Sequence, residues 1–161
     1  MARKPNRKND DGLQVICRNR RAFHDYDIHD TLECGLVLTG TEVKSLRDGA
    51  GGLEDAYAKI EGGEVWLVGS DIPEYSMGNR MNHKPKRPLK LLLHRREIGK
   101  FAGKASQRGF TLVPLKIYFK GSHAKVELAV ARGKQLHDKR QAAKKSDAQK
   151  EIRRAMSDRR R

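Results

Sequence analysis

Apolar content falls abruptly after position 131. Residues 132–161 hold twelve Lys and Arg against four Asp and Glu, so this segment carries +8 of the formal +15 borne by all 161 residues. A segment with so little to bury cannot offset the entropy of ordering itself. The fold must therefore be built from what precedes it. The octet Gly133-Lys134-Gln135-Leu136-His137-Asp138-Lys139-Arg140 reads as the joint where a basic arm begins. Three parts are expected: a disordered basic leader at 1–12, a folded domain at 13–131, and a basic tail at 132–161.

An isoelectric point of about 10.1 and this excess of cations point to a polyanion, because neutralised phosphates release counterions whatever their sequence. RNA, DNA and an anionic membrane surface all satisfy that. No stretch approaches the roughly 20 apolar residues of a membrane-spanning helix. The N-terminus lacks the apolar core of a signal peptide. The chain reads as cytoplasmic, so Cys17 and Cys34 are expected reduced and buried, and two cysteines are too few for a zinc site.

Before the joint, the chain alternates and turns like a compact β protein. Leu13 to Cys17 is a short β-branched run, followed by a basic break at 18–21. From Tyr26 to Cys34, apolar residues alternate at 26, 28, 32 and 34 with a gap at 30. That strand passes through Gly35 to Leu38, and a glycine so placed bends a strand in the way small closed barrels require. The period then changes. Thr41 is expected to cap a short helix with Glu42 in its first turn and Val43, Leu46 and Arg47 at helical spacing. Ala56 to Ile60 and Glu64 to Val68 flank Gly62-Gly63 as a hairpin.

Residues 69–90 hold Pro73, Pro85 and Pro88 with Gly78, Asn79 and Asn82, and read as a long basic loop, functional or mobile. The run Lys90-Leu91-Leu92-Leu93-His94 is expected to enter a helix, with His94 near its N-cap, Glu97 three residues on, and Ile98, Phe101, Ala102 and Ala105 as its apolar stripe. Phe110 to Phe119 is strongly β, Pro114 marking an edge or a bulge. Ala124 to Ala131 alternates, with Val126, Leu128 and Val130 facing one way. About six strands and two or three helices result, mainly β (α+β), best arranged as an OB-like closed antiparallel barrel with flanking helices and a basic C-terminal tail. A mixed α+β sandwich is the second arrangement.

Catalytic signals are weak. His24-Asp25 and His29-Asp30 resemble metal ligands, but no third ligand cluster accompanies them. Glu33, Glu42 and Glu54-Asp55 have no spacing that pairs an acid with a base. No phosphate loop, nucleophile elbow or HExxH is present. The reading is a non-enzyme without cofactor or metal. At 6% aromatic residues, extended base stacking is not supported, and most of Tyr57, Trp66, Tyr118 and Phe119 are expected in the core. Recognition of a folded RNA by shape and backbone is favoured. In the tail, Leu136, Ala143, Ala148, Ile152, Ala155 and Met156 fall near one helical face. That stripe is too thin to hold a helix alone in water, but it can fold against an RNA wall.

Several long segments, in one order, resemble the small protein B family, the transfer-messenger-RNA-binding proteins of bacterial trans-translation. They are Leu38 to Arg47, Glu64 to Leu67, Asn82 to Pro85, Arg87 to His94, Thr111 to Lys120 and Gly133 to Arg140. The resemblance implies an OB-like barrel that binds the tRNA-like domain of transfer-messenger RNA (tmRNA) and, with elongation factor Tu, helps deliver it to stalled 70S ribosomes. It carries RNA-binding roles onto Glu33, Leu92 and Lys125, with Lys44, Arg47, Arg87 and Lys90 as further contacts from the matching segments. A carboxylate attracts no phosphate, so Glu33 is expected to accept from a base or to order a basic neighbour. Leu92 is either an apolar contact or a support for its loop. The resemblance further implies a tail that is disordered when free and helical in the empty messenger channel. There Gly133, Lys134, His137, Asp138, Lys139 and Arg140 would meet small-subunit rRNA at the decoding centre. A generic ribosomal or tRNA-binding barrel protein is the alternative, and a His-Asp metalloenzyme a distant third.

Overall fold

The computed structural model describes residues 13–78 and 80–135, with Ala148 and Lys150 beyond them. The elements run β1 (Leu13–Arg18), α1 (Arg20–Asp25), β2 (Tyr26–Leu36), α2 (Gly40–Arg47), β3 (Tyr57–Glu61), β4 (Glu64–Val68), β5 (Leu89–Leu92), α3 (Arg95–Ala105), β6 (Phe110–Lys120) and β7 (His123–Gly133). Every strand pairing among the described residues is antiparallel. Neighbours follow the order β6-β3-β4-β5-β2-β7, and β7 pairs back onto β6, with β1 added to β6. The strands thus close a ring of six that carries a seventh, the mainly β antiparallel class that the alternation predicted. The closure is thinnest between β3 and β6, where Ala58 opposite Leu112 is the one registered pair.

The inside of the ring is filled by the alternate residues of each strand. Cys34, Leu67, Val126, Leu128 and Val130 are fully buried there with Leu46, Ile117 and Phe119. β7 is buried on both faces. Ala129 and Ala131, one step out of phase with that core, pack with Val113, Leu115 and Ala22 of α1 in a second cluster. Alanine at both positions lets the helix sit close to the sheet. Cys17 is half-buried and Cys34 buried, both free thiols. Burial pushes them up to about 11 and about 12, so neither is a reactive thiolate at neutral pH.

Four local expectations change. The basic break at 18–21 opens a helix instead. Asn19 caps α1, its Oδ1 accepting the Ala22 N–H at 3.0 Å, and six residues are too few to show a helical period in sequence. The Leu-Leu-Leu run does not enter a helix. It supplies β5, with Leu89 and Leu91 in the core and Lys90 and Leu92 outside. A three-leucine run is ambiguous by period, and Pro88 keeps its predecessor extended. Thr39, not Thr41, is the N-cap of α2. Glu42 reaches back to accept the Thr39 N–H at 2.7 Å, which frees the Thr41 hydroxyl to meet His83 Nδ1 at 2.9 Å. Among the four aromatics assigned mostly to the core, Tyr118 and Phe119 are buried, but Trp66 is half-buried and Tyr57 is 47% exposed.

Other expectations hold in detail. Gly62 and Gly63 turn the β3–β4 hairpin with φ of 59° and 76°, as a two-residue turn between twisted strands requires. The gap at position 30 coincides with a shift of register between Ile28 and Asp30. Pro114 sits at a second shift, between Pro114 and Lys116. His94 is the N-cap of α3, its N–H donating to Glu97 at 2.9 Å, and Phe101 is buried. The long loop is tied to α2: Ser45 Oγ donates to the Pro73 carbonyl at 2.6 Å, and the buried His83 bridges Thr41 and the Ile72 carbonyl.

Candidate nucleic-acid interface

Strand register draws one line across the outside of the ring. Leu92 of β5 lies opposite Gly35 of β2, Gly35 opposite Lys125 of β7, and Lys125 opposite Tyr118 of β6. Residues opposed in register share a face. Their neighbours Leu91, Cys34, Val126 and Ile117 are all in the core, so the line lies on the outer face of the ring, with Leu92 exposed and Tyr118 covered by its neighbours. Glu33, two residues before Gly35, stands on the same face. Positions 33, 92 and 125, remote in sequence, are thereby brought to one patch.

Glu33 is the hub of that patch. Its carboxylate accepts from the Lys125 ammonium and from the Tyr118 hydroxyl, and Lys120 Nζ lies 3.8 Å from Oε1. The hydrogen bond from Lys125, then that from Tyr118, holds the carboxyl below its ordinary range. Burial, reinforced by the bond to Glu33, pushes the Tyr118 phenol upward, so at neutral pH the phenol is a donor and the carboxylate is charged. Alongside, Lys116 pairs with Glu127 at 2.6 Å and lies 5.3 Å over the Tyr118 ring. Three lysines around two carboxylates leave a local cationic surplus; Lys116 and Lys125 are held by short contacts, and Lys120 stands farther off and mostly exposed. Both oxygens of Glu33 thus accept from groups of its own fold.

The patch also has an apolar end. Leu92 is 54% exposed, and its Cβ lies 3.2 Å from where a Cβ on Gly35 would stand. Glycine at 35 therefore lets β5 present Leu92 at close approach to β2. Val37 is also exposed, and its N–H donates to the Lys90 carbonyl at 3.0 Å. On α2, exposed Lys44 lies 5.5 Å over the Tyr75 ring, and exposed Arg47 lies 5.8 Å over Phe119. Each aromatic face steadies a cation without neutralising it. Fixed cations beside an exposed aliphatic group suit a phosphate backbone and a nucleotide face.

Comparison with known proteins agrees. The family model described as SmpB protein matches residues 16–158. The chain belongs to the SmpB family. The SsrA-binding protein of Thermobifida fusca (strain YX) is 54% identical over 160 residues, covering 99% of this chain and all of that protein. The SsrA-binding protein of Corynebacterium jeikeium (strain K411) is 59% identical over 142 residues, covering 88% and 77%. A chain from a solved structure described as "tmRNA-SmpB: a journey to the center of the bacterial ribosome" superposes with a TM-score of 0.64 at 49% identity, covering 74% of this chain and 85% of that one.

Within this SmpB fold, the remaining site candidates divide. Arg87 does not join the Glu33 patch. Its Nε and Nη2 grip Glu42 at 2.5 and 2.7 Å, and it reaches the Pro88 and Val37 carbonyls at 3.3 and 3.4 Å. Burial pushes the Glu42 carboxyl up, but the bonds from Arg87 and Thr39 outweigh it and the net shift is downward. Lys90 pairs with Glu64, opposite Trp66 across β4 and β5. Gly133 ends β7 opposite Tyr26. Lys134 follows, its N–H on the Asp25 carbonyl at 2.9 Å and its Nζ on the Phe23 carbonyl at 3.1 Å. His137, Asp138, Lys139 and Arg140 lie outside the described residues, as does the leader at 1–12.

The two His-Asp pairs serve other ends. His24 Nδ1 lies 2.9 Å from Asp25 Oδ1. The His29 ring stacks edge-on against Phe110 at 5.0 Å, and Asp30 accepts from Lys104 at 2.5 Å. Sequence reasoning missed Tyr118 and Lys120. Alternation along β6 put Lys116, Tyr118 and Lys120 on one face, but only the pairing of β6 with β7 and of β7 with β2 brings that face to Glu33. Among the described residues, no helix is long and apolar enough to cross a membrane.

Proposed function

We propose that this protein binds the tRNA-like domain of tmRNA through the patch of Glu33, Lys125 and Leu92, and carries that RNA to stalled 70S ribosomes for trans-translation. The observation that carries the reading is the line Leu92–Gly35–Lys125–Tyr118 with Glu33 beside it. It unites the residues that the family resemblance singled out. The relatives' name, SsrA-binding protein, and the solved tmRNA-SmpB structure support the same partner. Lys44, Arg47 and Lys90 serve as further backbone contacts, and Lys120, 3.8 Å from Glu33, joins the patch itself.

The chain acts by binding and positioning, not by catalysis, within the cytoplasm. In this reading 13–131 holds the RNA. The basic arm enters the empty messenger channel, with His137, Asp138, Lys139 and Arg140 against small-subunit rRNA and elongation factor Tu joined through the tmRNA.

Titration of the full chain and of residues 1–134, which keep all of β7 and the Lys134 contacts, onto the tRNA-like RNA and onto bulk tRNA, across a salt series, tests this division, together with peptide tagging on stalled ribosomes. The expected outcome is selective RNA binding by both and tagging by the full chain alone. Equal affinity for bulk tRNA would instead indicate a generic tRNA-binding protein.

A further inference from the structure

The shortest of the three helices among residues 13–135 sits where the basic arm leaves the domain. α1 has six residues, from Arg20 to Asp25, so most of its carbonyls have no partner within the helix. Its first turn is fixed into the domain by Asn19. Nδ2 donates to the Leu53 and Pro114 carbonyls at 2.9 and 3.2 Å, and the Asn19 N–H donates to Leu115 at 2.7 Å. Its last turn is held from the opposite end of the chain. The Lys134 N–H donates to the Asp25 carbonyl, and the Lys134 ammonium to the Phe23 carbonyl. Two donors, one of them charged, thus meet the negative end of the helix.

Lys134 is also the first residue past β7, whose last pair is Tyr26 with Gly133. Gly133 itself imposes no direction. It has no left-handed φ, and a Cβ there would meet nothing within 4 Å. The strand ladder stops at Gly133, and the next contacts along the chain are the two that Lys134 makes with α1. Asn19 passes that anchorage on to β6 and to the segment at Leu53, inside the folded domain.

We propose that Lys134 is a positioning residue: by capping the C-terminus of α1, it sets the direction in which the basic arm departs from the sheet. Its ammonium is committed to a carbonyl of its own fold, which separates its role from that of a phosphate-binding lysine. The proposal rests on the reading that the arm works on the ribosome while the domain holds the RNA.

The test uses the full chain with Lys134→Met, which keeps the apolar stem and removes the charge, and Lys134→Arg, which restores a donor. Spin labels at Ser122→Cys and Gln135→Cys, both exposed, in a Cys17→Ser background, report the distance from the sheet to the first residue past the Lys134 cap. Lys134→Met is expected to broaden that distribution, to speed amide exchange at Phe23 to Asp25, and to lower tagging severalfold. Affinity for the tRNA-like RNA and its salt dependence stay at the wild-type value, and Lys134→Arg recovers both distribution and tagging.

An unchanged distribution in Lys134→Met overturns the proposal. So does a loss of about 0.9 in the salt slope of RNA or ribosome binding, the signature of one lost phosphate contact. Failure of the wild-type chain to select the tRNA-like RNA would remove the proposed function instead, and the label distances would still report on Lys134.

Discussion

Arg87 holds Glu42 with both arms of its guanidinium, Nε to Oε1 at 2.5 Å and Nη2 to Oε2 at 2.7 Å. The carboxylate is 1% exposed and the guanidinium 31%. The pair ties the loop before β5 to the first turn of α2, across 45 positions of sequence. A basic residue in a matching family segment is thus committed to the fold.

Removing one partner of a buried pair strands the other charge. Arg87→Met is therefore expected to cost about 3–5 kcal/mol of unfolding free energy, read by urea denaturation. Arg87→Lys recovers part of the loss, since an ammonium cannot match the bidentate geometry. Folded Arg87→Met protein should keep the wild-type salt slope for RNA. A slope reduced by about 0.9 would return Arg87 to the interface.

Acid titration should distinguish the same pair. In the native protein Glu33 and Glu42 both sit below their ordinary value of 4.5. A depressed carboxyl gives stability that is fully present above the unfolded value and is lost as pH falls through the folded one. Wild-type stability is expected to be level near neutrality and to fall once pH drops below 4.5. In Arg87→Met, burial dominates Glu42 and raises its value, so the sign reverses and acidification through that higher value stabilises the variant relative to pH 7. Denaturation midpoints at stepped pH measure both.

Glu33 and Lys125 should be energetically coupled in RNA binding. Glu33→Gln and Lys125→Met, alone and together, are expected to give a coupling of about 0.5–3 kcal/mol in a double-mutant cycle. Carboxyl NMR of Glu33 should show its pKa rising in Lys125→Met, because the hydrogen bond that most depresses it is gone. Additive effects on affinity would mean that the two residues touch the RNA independently.

Leu92 is more than half exposed, so Leu92→Ala should lower thermal stability little while weakening RNA binding. Losing a modest apolar contact is worth about 1 kcal/mol, or roughly fivefold in Kd. A large fall in melting temperature with unchanged Kd would make Leu92 a support for its strand.

Gly69 has φ of 78°, and a Cβ there would lie 2.8 Å from the Asp55 carbonyl oxygen. Both the conformation and the backbone contact oppose a side chain. Gly69→Ala is expected to destabilise by more than about 1 kcal/mol, read as a shift of the denaturation midpoint.

The sequence by itself determined the class of the fold and its direction of charge. Alternation from Tyr26 to Cys34 and from Ala124 to Ala131, the Gly62-Gly63 turn and the His94 cap are local signals, set by the steric period of a strand and by helix-end hydrogen bonds. The basic arm was visible because it has almost nothing to bury.

Tertiary structure decided what period and composition cannot express. It gave Leu89–Leu92 to a strand, because an open position between β4 and β2 accepts one. It made Arg20–Asp25 a helix, because Asn19 and Lys134 supply the partners that so short a segment lacks. It set Glu33, Leu92, Lys125 and Tyr118 on one line and took Arg87 away from it. Which residues meet across a ring depends on register, and register is fixed only when every strand has chosen its neighbours.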